Sequence, residues 1–192
     1  MEPEYFENIV QGKVNELIKE SLLEKSSWKI NSDNLPIEVF NSIHGGSDGG
    51  MLLMSFHEND KQNNDCYDIN LFANMILRFV LEESFVDHQH ARVRRFSKIE
   101  KVRFLWNYYH GNSIGVEHQD DTRDNYYSIV YYLNTVENAG TWIKKEDGET
   151  VFAPSLAGSA VLFPSKLIHY GTAAKKNSVR LCLNILFKAE EC

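Results

Sequence analysis

The spacing of hydrophobic residues divides the chain into two parts, with the change after residue 90. In residues 5–25, apolar side chains recur every three or four positions, a spacing that predicts a helix with one buried face. Residues 67–85 repeat this spacing with a broader apolar face and predict a second helix. Between them, residues 36–43 predict a short strand, and the glycine-rich residues 44–50 predict a flexible loop.

The pattern beyond residue 90 consists of short segments rich in β-branched and aromatic residues, separated by turn signals such as HGNS, ENAG and EDGE. Closely spaced strands of this kind are typical of a β-sandwich or barrel. Helices with one apolar face would pack outside such a β core, so the expected fold class is α+β, mainly β. The segments that predict strands are RVRRFSKI, VRFLWNYY, SIVYYLN, TWIKK, TVFAP, SAVLFP, KLIHYG and VRLCLNILF.

Length and composition favour a single domain over residues 1–192, with residues 1–90 as a helical support region and residues 91–188 as the β core. Hydrophobic residues make up 43% of the chain and aromatic residues 12%, which argues against disorder. The net charge of −7 argues against general nucleic-acid binding. The basic run RVRRFSK is interpreted as a strand with one solvated face.

The sequence shows no sign of membrane insertion or of secretion. Apolar runs fall short of the roughly 20 residues that a membrane span needs, and the start MEPEYFENIV shows no secretory signal. Cys66, Cys182 and Cys192 are odd in number and scattered, which fits reduced thiols better than a disulfide framework. The sequence has no CxxC pair, which argues against a structural zinc site of that type. We therefore expect a cytoplasmic protein that does not bind membranes.

The segment VEHQDD places His118 two residues before Asp120, at the end of a predicted strand, IGVEH, that runs into the turn DDTRDN. In a strand, residues i and i+2 face the same side, so the imidazole and the carboxylate can converge on one metal ion. A third ligand would come from a distant strand, and His169 in SKLIHYG is the best placed of the other histidines. Two histidines and one carboxylate form the facial triad of non-haem Fe(II) oxygenases, which leaves coordination positions open. The alternatives are a polar turn for the first pair and a core position for His169.

The open positions of such a triad suit a 2-oxo acid, which fills two of them through its keto oxygen and C1 carboxylate while O₂ takes the third. The far carboxylate of a dicarboxylic oxo acid then needs a cation, and Arg180 lies within the apolar run VRLCLNILF. A buried arginine is costly without a partner, so the same hypothesis explains Arg180, with a structural ion pair as the alternative. Asn184 shares the face of Arg180 in a strand and is expected to point into the same pocket.

His88 and His90 form a second pair of histidines with metal-ligand spacing. A cupin-type metal site would need a glutamate a few residues later on the same strand, whereas the sequence continues with ARVRRF. This pair is therefore interpreted as a loop or strand-entry feature.

Together these motifs resemble the 2-oxoglutarate/Fe(II)-dependent dioxygenases. The order NYYHGNSIGVEHQD, YSIVYYLN, NAGTWI, VLFPSKLIH over residues 91–188 is similar to their prolyl 4-hydroxylase branch. The resemblance implies that residues 91–188 form a double-stranded β-helix, a jelly-roll or cupin-like catalytic core, with the N-terminal helices packed outside it.

The resemblance also implies a role for individual residues. The implied iron ligands are His118, Asp120 and His169. Arg180 and Tyr132 would bind the C5 carboxylate of 2-oxoglutarate, and Tyr109 would lie at the mouth of the active site. The chain departs from the family pattern at Cys182, where many members have a serine, and at Leu186, where an aromatic residue is frequent.

The implied reaction is hydroxylation of an unactivated C–H bond, with O₂ and 2-oxoglutarate converted to CO₂ and succinate and with ascorbate as an optional stimulant. The resemblance favours a prolyl residue in a peptide or protein as the substrate. The alternatives are a free amino acid, another small molecule, or a catalytically silent β-helix that serves as a binding module. Asp120 indicates a hydroxylase, since related halogenases have glycine or alanine at this position.

Overall fold

The structure is a computed structural model that describes the backbone of residues 1–24, 49–58, 61–62, 67–88, 91–111, 115–172 and 178–192. The predicted strand at residues 36–43 and most of the predicted loop at residues 44–50 lie outside this set. The described helices are α1 (Gly12–Glu24) and α2 (Tyr67–Glu83), and neither is long and apolar enough to cross a membrane. The described strands are β1 (Glu4–Phe6), β2 (Gly49–Glu58), β3 (Lys61–Gln62), β4 (Phe85–His88), β5 (Ala91–Arg94), β6 (Phe96–Gly111), β7 (Tyr126–Tyr132), β8 (Gly140–Lys144), β9 (Thr150–Pro154), β10 (Ser159–Pro164), β11 (His169–Thr172) and β12 (Val179–Glu191).

Antiparallel pairing arranges the described strands in a main sheet, a smaller sheet and a separate β4–β5 pair. The main sheet has the order β1-β10-β7-β12-β6-β2-β3, and the smaller sheet has the order β11-β8-β9. Buried residues from both sheets meet in one hydrophobic cluster, so the two sheets face each other. Two facing antiparallel sheets with helices on the outer side confirm the predicted fold class.

Strand β12 lies between β7 and β6 in the main sheet, and one of its faces belongs to the main hydrophobic core. This face consists of Leu181, Leu183, Ile185 and Phe187. Helix α2 packs in the same core through Phe72, Ile76 and Val80. Each fully buried apolar side chain stabilises the fold by roughly 1.5–3 kcal/mol, so this layer is a major source of stability.

The opposite face of β12 looks into the space between the two sheets, and it is polar. Arg180, Cys182 and Asn184 alternate with the core residues, and all three are buried. Strand β7 aligns Tyr132 with Cys182 and carries Ser128 on the same face. The sheet therefore collects buried polar side chains in the interior of the β-helix, where a functional site is expected.

The N-terminal region is less helical than predicted. Residues Glu4–Phe6 form a strand instead of the first turn of a helix, because they pair with β10. The Tyr5 hydroxyl adds hydrogen bonds to the carbonyl oxygen of Pro154 at 3.1 Å and to the hydroxyl of Ser159 at 2.7 Å. Strand β2, which the hydrophobic pattern did not indicate, pairs with β6. The predicted helical support region therefore also contributes strands to the main sheet.

Candidate metal centre

A single β-bridge, instead of the predicted strand, fixes the backbone at His118. The amide of His118 donates to the carbonyl oxygen of His169 at 3.0 Å, and the amide of His169 donates to that of His118 at 2.9 Å. The Gly115 amide continues this contact by donating to the carbonyl oxygen of Gly171 at 2.7 Å. A Cβ at Gly115 would lie 3.1 Å from the backbone nitrogen of Gly171, so the close approach favours glycine. The two imidazole rings thus come together with centroids 4.4 Å apart.

Backbone carbonyls fix the orientation of both imidazoles. Nδ1 of His118 lies 2.8 Å from the carbonyl oxygen of Val116, and Nδ1 of His169 lies 2.9 Å from that of Leu167. Because a carbonyl oxygen only accepts, Nδ1 carries the proton in the neutral form of each ring, and that tautomer leaves the lone pair on Nε2. The Nε2 atoms lie 3.9 Å and 3.6 Å from the two carboxylate oxygens of Asp120. One ligand atom from each residue lies within 4.8 Å of the others, an arrangement that could hold a metal ion.

The centre is buried on one side and open on the other. The side chains of Asp120 and His169 are 2% and 4% exposed, whereas that of His118 is 49% exposed. Within the described part of the chain, Nε2 of His169 is buried and makes no hydrogen bond. Burial lowers the pKa of His169, and the charge of Asp120 opposes this effect without cancelling it. A neutral imidazole with a free, buried nitrogen is the form that binds a metal.

Three side chains of the described residues donate hydrogen bonds to the Asp120 carboxylate. Nη2 of Arg103 lies 2.7 Å from Oδ1, the Ser128 hydroxyl lies 2.7 Å from Oδ2, and Nδ2 of Asn184 lies 3.3 Å from Oδ2. Burial alone would raise the pKa of Asp120, but the charge of Arg103 and the Ser128 hydrogen bond help to hold it below its ordinary value. Asp120 is therefore an ionised carboxylate in a buried position, as a cation ligand must be.

Arg180 and Tyr132 lie on the same interior face, farther along β12 and β7. The buried guanidinium of Arg180 donates a hydrogen bond to the carbonyl oxygen of Gly140, and the Tyr132 hydroxyl donates to that of Ala153 at 3.1 Å. Burial raises the pKa of Tyr132, while the nearby positive charge of Arg180 lowers it in part. Asn184 lies four positions after Arg180 in the strand, which places their Cα atoms roughly 13 Å apart. The interior face of the main sheet thus carries contacts to the three candidate ligands toward one end and a buried cation with a phenol toward the other.

Among the remaining predicted residues, the structure describes only the backbone of Tyr109 and His88. Tyr109 lies in β6 with its Cα opposite that of Arg180, and its side chain is outside the described set. His88 ends β4 in the separate strand pair, and residues 89–90 are outside the described set. Burial raises the pKa of the Cys182 thiol, so this residue is a neutral part of the pocket wall. Leu186 is buried next along the same face of the strand.

Sequence reasoning missed Arg103 and Ser128, the two closest partners of Asp120. For Arg103 a signal exists, because it interrupts an apolar strand, VRFLW, as Arg180 does. For Ser128 the sequence offers no comparable signal, since serine is common in strands that face polar interiors.

The basic run RVRRFSK takes part in ion pairs away from the centre. Arg95 donates to a carboxylate oxygen of Glu4 at 3.1 Å, and Nζ of Lys98 lies 2.8 Å from a carboxylate oxygen of Glu190. Lys98 and Glu190 are exposed, in agreement with the interpretation of this run as a solvated face.

No protein-family model and no curated protein sequence matches the chain. Solved structures are similar in fold. A prolyl-4-hydroxylase from Pseudomonas putida aligns with a TM-score of 0.62 and 15% identity, over 98% of this chain and 92% of that one. A Trichoplax adhaerens prolyl hydroxylase in complex with a hypoxia inducible factor peptide fragment aligns with a TM-score of 0.63 and 11% identity, over 97% of this chain and 83% of that one. The epimerase SnoN from nogalamycin biosynthesis aligns with a TM-score of 0.59 and 11% identity, over 96% of this chain and 76% of that one. At these identities the similarity concerns the fold, and it confirms the predicted double-stranded β-helix.

Proposed function

We propose that the protein is a 2-oxoglutarate- and Fe(II)-dependent oxygenase that hydroxylates an unactivated C–H bond. The observation that carries this proposal is the convergence of two Nδ1-protonated histidines and one ionised aspartate at the end of a pocket that also holds a buried arginine. The similarity in fold to prolyl hydroxylases supports it.

The residues present fit an Fe(II) ion. His118, Asp120 and His169 would hold it, since two imidazoles and one carboxylate on one side leave positions open for further ligands. The buried Nε2 of His169, which makes no hydrogen bond among the described residues, would otherwise be an uncompensated polar atom. The exposure of His118 gives access to the open side of the ion.

Arg180 and Tyr132 fit the far carboxylate of 2-oxoglutarate. The guanidinium offers a planar, permanently charged set of donors, and the phenol adds a neutral one. Burial of both groups excludes water, which strengthens the ion pair with a dianionic cosubstrate. Asn184, between Arg180 and Asp120 on the same face, would line the pocket, and Tyr109 would lie at its mouth. When bound, iron and 2-oxoglutarate supply the oxidising chemistry, which consumes O₂ and releases succinate and CO₂.

For the substrate, we propose a prolyl residue in a peptide or protein. Two of the three similar structures named above are prolyl hydroxylases, and one of these is in complex with a peptide fragment. The half-exposed His118, at the solvent-facing side of the centre, supports access by an external substrate. An epimerase has a similar fold, so a small-molecule substrate is the alternative to be tested in parallel.

The test is aerobic incubation with Fe(II) and 2-oxoglutarate, with succinate as the readout. Candidate proline-containing peptides, free amino acids and small metabolites are then searched by mass spectrometry for a gain of about 16 Da, the mass of one oxygen atom. The Asp120→Ala variant is the control for the metal centre. A wild-type protein that binds neither metal nor 2-oxoglutarate would instead be a catalytically silent binding module.

A further inference from the structure

Arg103 contacts the metal centre from β6. Its Nη2 atom donates to Oδ1 of Asp120 at 2.7 Å, and its side chain is only 29% exposed. Among the residues whose side chains the structure describes, Arg103 donates side-chain hydrogen bonds to Asp120 alone, and its Nε atom is buried without a partner in that set. The charge of Arg103 is therefore directed at a candidate metal ligand.

The backbone of β6 is irregular beside Arg103. Arg103 pairs with Leu186, and the next aligned pair is Lys101 with Phe187, so Val102 has no partner on β12. Such a β-bulge changes the direction of neighbouring side chains and is frequent beside active sites. The adjacent Phe104 is buried in the main core on the helix side, which leaves Arg103 on the interior side with Asp120.

The hydrogen bonds of Asp120 distinguish its two oxygens. A carboxylate has about two acceptor positions on each oxygen. Oδ2 accepts from Ser128 and Asn184, so both of its positions are used. Oδ1 accepts from Arg103, which leaves one position for a metal ion. The hydrogen bonds therefore favour coordination through Oδ1 alone.

We infer that Arg103 is a positioning residue that holds Asp120 as a monodentate metal ligand through Oδ1. This inference rests on the proposed function. Without Arg103, the carboxylate keeps only the two hydrogen bonds on Oδ2, from Ser128 and Asn184, and Oδ1 loses the donor that fixes its direction. A ligand oxygen that is less well oriented binds the metal less tightly, so loss of Arg103 weakens metal binding and, through it, cosubstrate binding.

The test uses the Arg103→Gln variant with Co(II) as a redox-stable probe, and with Fe(II) plus 2-oxoglutarate under anaerobic conditions. Loss of a residue that orients a metal ligand costs about 10- to 100-fold in metal affinity, and we expect a Co(II) Kd weakened by this factor. We also expect altered d–d absorption of bound Co(II), which reports coordination geometry, and a weaker visible charge-transfer band of the Fe(II)–2-oxoglutarate complex. The Arg103→Lys variant keeps the charge but loses the forked set of donors, and its Co(II) affinity is expected to lie between those of the wild type and of Arg103→Gln.

The matched control is Arg95→Gln, which removes another partly buried arginine and its ion pair with Glu4, and the hydrogen bonds of Arg95 within the described part of the chain go to Glu4 and Phe85. Melting of the metal-free proteins shows how much each substitution destabilises the fold. If Arg103→Gln does not fold, Ser128→Ala tests the same hydrogen-bond arrangement, because it frees a position on Oδ2 and should alter the Co(II) spectrum.

Unchanged Co(II) affinity and spectrum in both the Arg103→Gln and Ser128→Ala variants would overturn the inference, whatever the melting temperatures. In that case Arg103 is a structural ion pair and the proposed function stands. A wild-type protein that binds neither Co(II) nor 2-oxoglutarate would overturn the proposed function and this inference together.

Discussion

The two faces of β12 separate the part of the molecule that stabilises the fold from the part that fits a ligand. Toward α2 the strand presents residues such as Leu183 and Phe187, whose burial is favourable without any specific partner. Toward the smaller sheet it presents Arg180 and Asn184, whose burial costs free energy unless their polar atoms are satisfied. Apolar residues at these two positions would stabilise the fold without needing hydrogen-bond partners. The comparison therefore predicts that substitutions on one face change stability and those on the other change ligand affinity.

The largest effect on the polar side is expected at Asp120. Replacement by alanine removes the anionic candidate ligand and leaves Arg103 without its carboxylate. Because loss of a residue that merely orients a ligand costs about 10- to 100-fold, loss of the ligand itself should lower turnover more than about 100-fold. Succinate formation with Fe(II) and 2-oxoglutarate measures it. Wild-type turnover by Asp120→Ala without added halide would show that Asp120 is not a ligand.

On the apolar side, Leu183→Ala should reduce stability and leave the pocket intact. The substitution opens a cavity in the core beneath α2 and should cost about 2–5 kcal/mol in the free energy of unfolding, measured by urea denaturation. The 2-oxoglutarate KM of the folded variant should stay within about twofold of wild type, since effects at independent sites add. A large rise in KM would mean that the two faces of β12 are coupled.

Arg180→Lys, in contrast to Leu183→Ala, should change the 2-oxoglutarate KM more than the free energy of unfolding. Lysine keeps the charge but loses the two-pronged geometry, and a charge-assisted hydrogen bond contributes about 1.5–3 kcal/mol, so the 2-oxoglutarate KM should rise about 10- to 100-fold. Co(II) affinity should change little, because Arg180 lies four positions before Asn184 in β12 and donates to the carbonyl oxygen of Gly140 in the smaller sheet.

A 2-oxo acid that lacks the C5 carboxylate sharpens this test. It should be a poor cosubstrate for the wild type, and Arg180→Lys should barely weaken it further. Equal weakening of both acids would identify Arg180 as a structural ion pair and move the cosubstrate pocket elsewhere.

Tyr132→Phe should produce a smaller change on the polar side. The substitution removes the Tyr132 hydroxyl, a neutral donor that in this structure bonds to the carbonyl oxygen of Ala153. Its loss should raise the 2-oxoglutarate KM about threefold to tenfold. Kinetics with the C5-lacking acid serve as the control, since that acid should not distinguish the variant from wild type. An equal rise in KM for both acids in the Tyr132→Phe variant would mean that Tyr132 acts through packing.

The smallest effect is expected at the exposed pair Lys98 and Glu190, which belongs to neither face. Lys98→Ala should change the free energy of unfolding by less than about 1 kcal/mol, because solvent screens an exposed ion pair. The same urea series as for Leu183→Ala measures it. A loss comparable to that of Leu183→Ala would show that the surface of the β5–β6 region is part of the stabilising layer.

The sequence was sufficient for features that repeat along the chain or lie close together in it. Hydrophobic spacing indicated the strands after residue 90 and helix α2, because periodicity of 2 or 3.6 residues is a local property. The order of His118, Asp120, His169 and Arg180 indicated which side chains to bring together, and the structure places all four in the interior between the sheets or at its edge.

Only the tertiary structure decided how these residues are held. The strand at Glu4–Phe6 exists because β10 offers an open edge, a partner that helical spacing in residues 5–25 cannot reveal. His118 needs no strand, because one bridge to His169 orients it. The donation from Arg103 to Asp120 depends on the register of β6 against β12 and on a bulge, and register is set by pairing between segments distant in sequence. The candidate ligands could thus be named from the chain alone, whereas the contacts that orient them arise only when the sheets close.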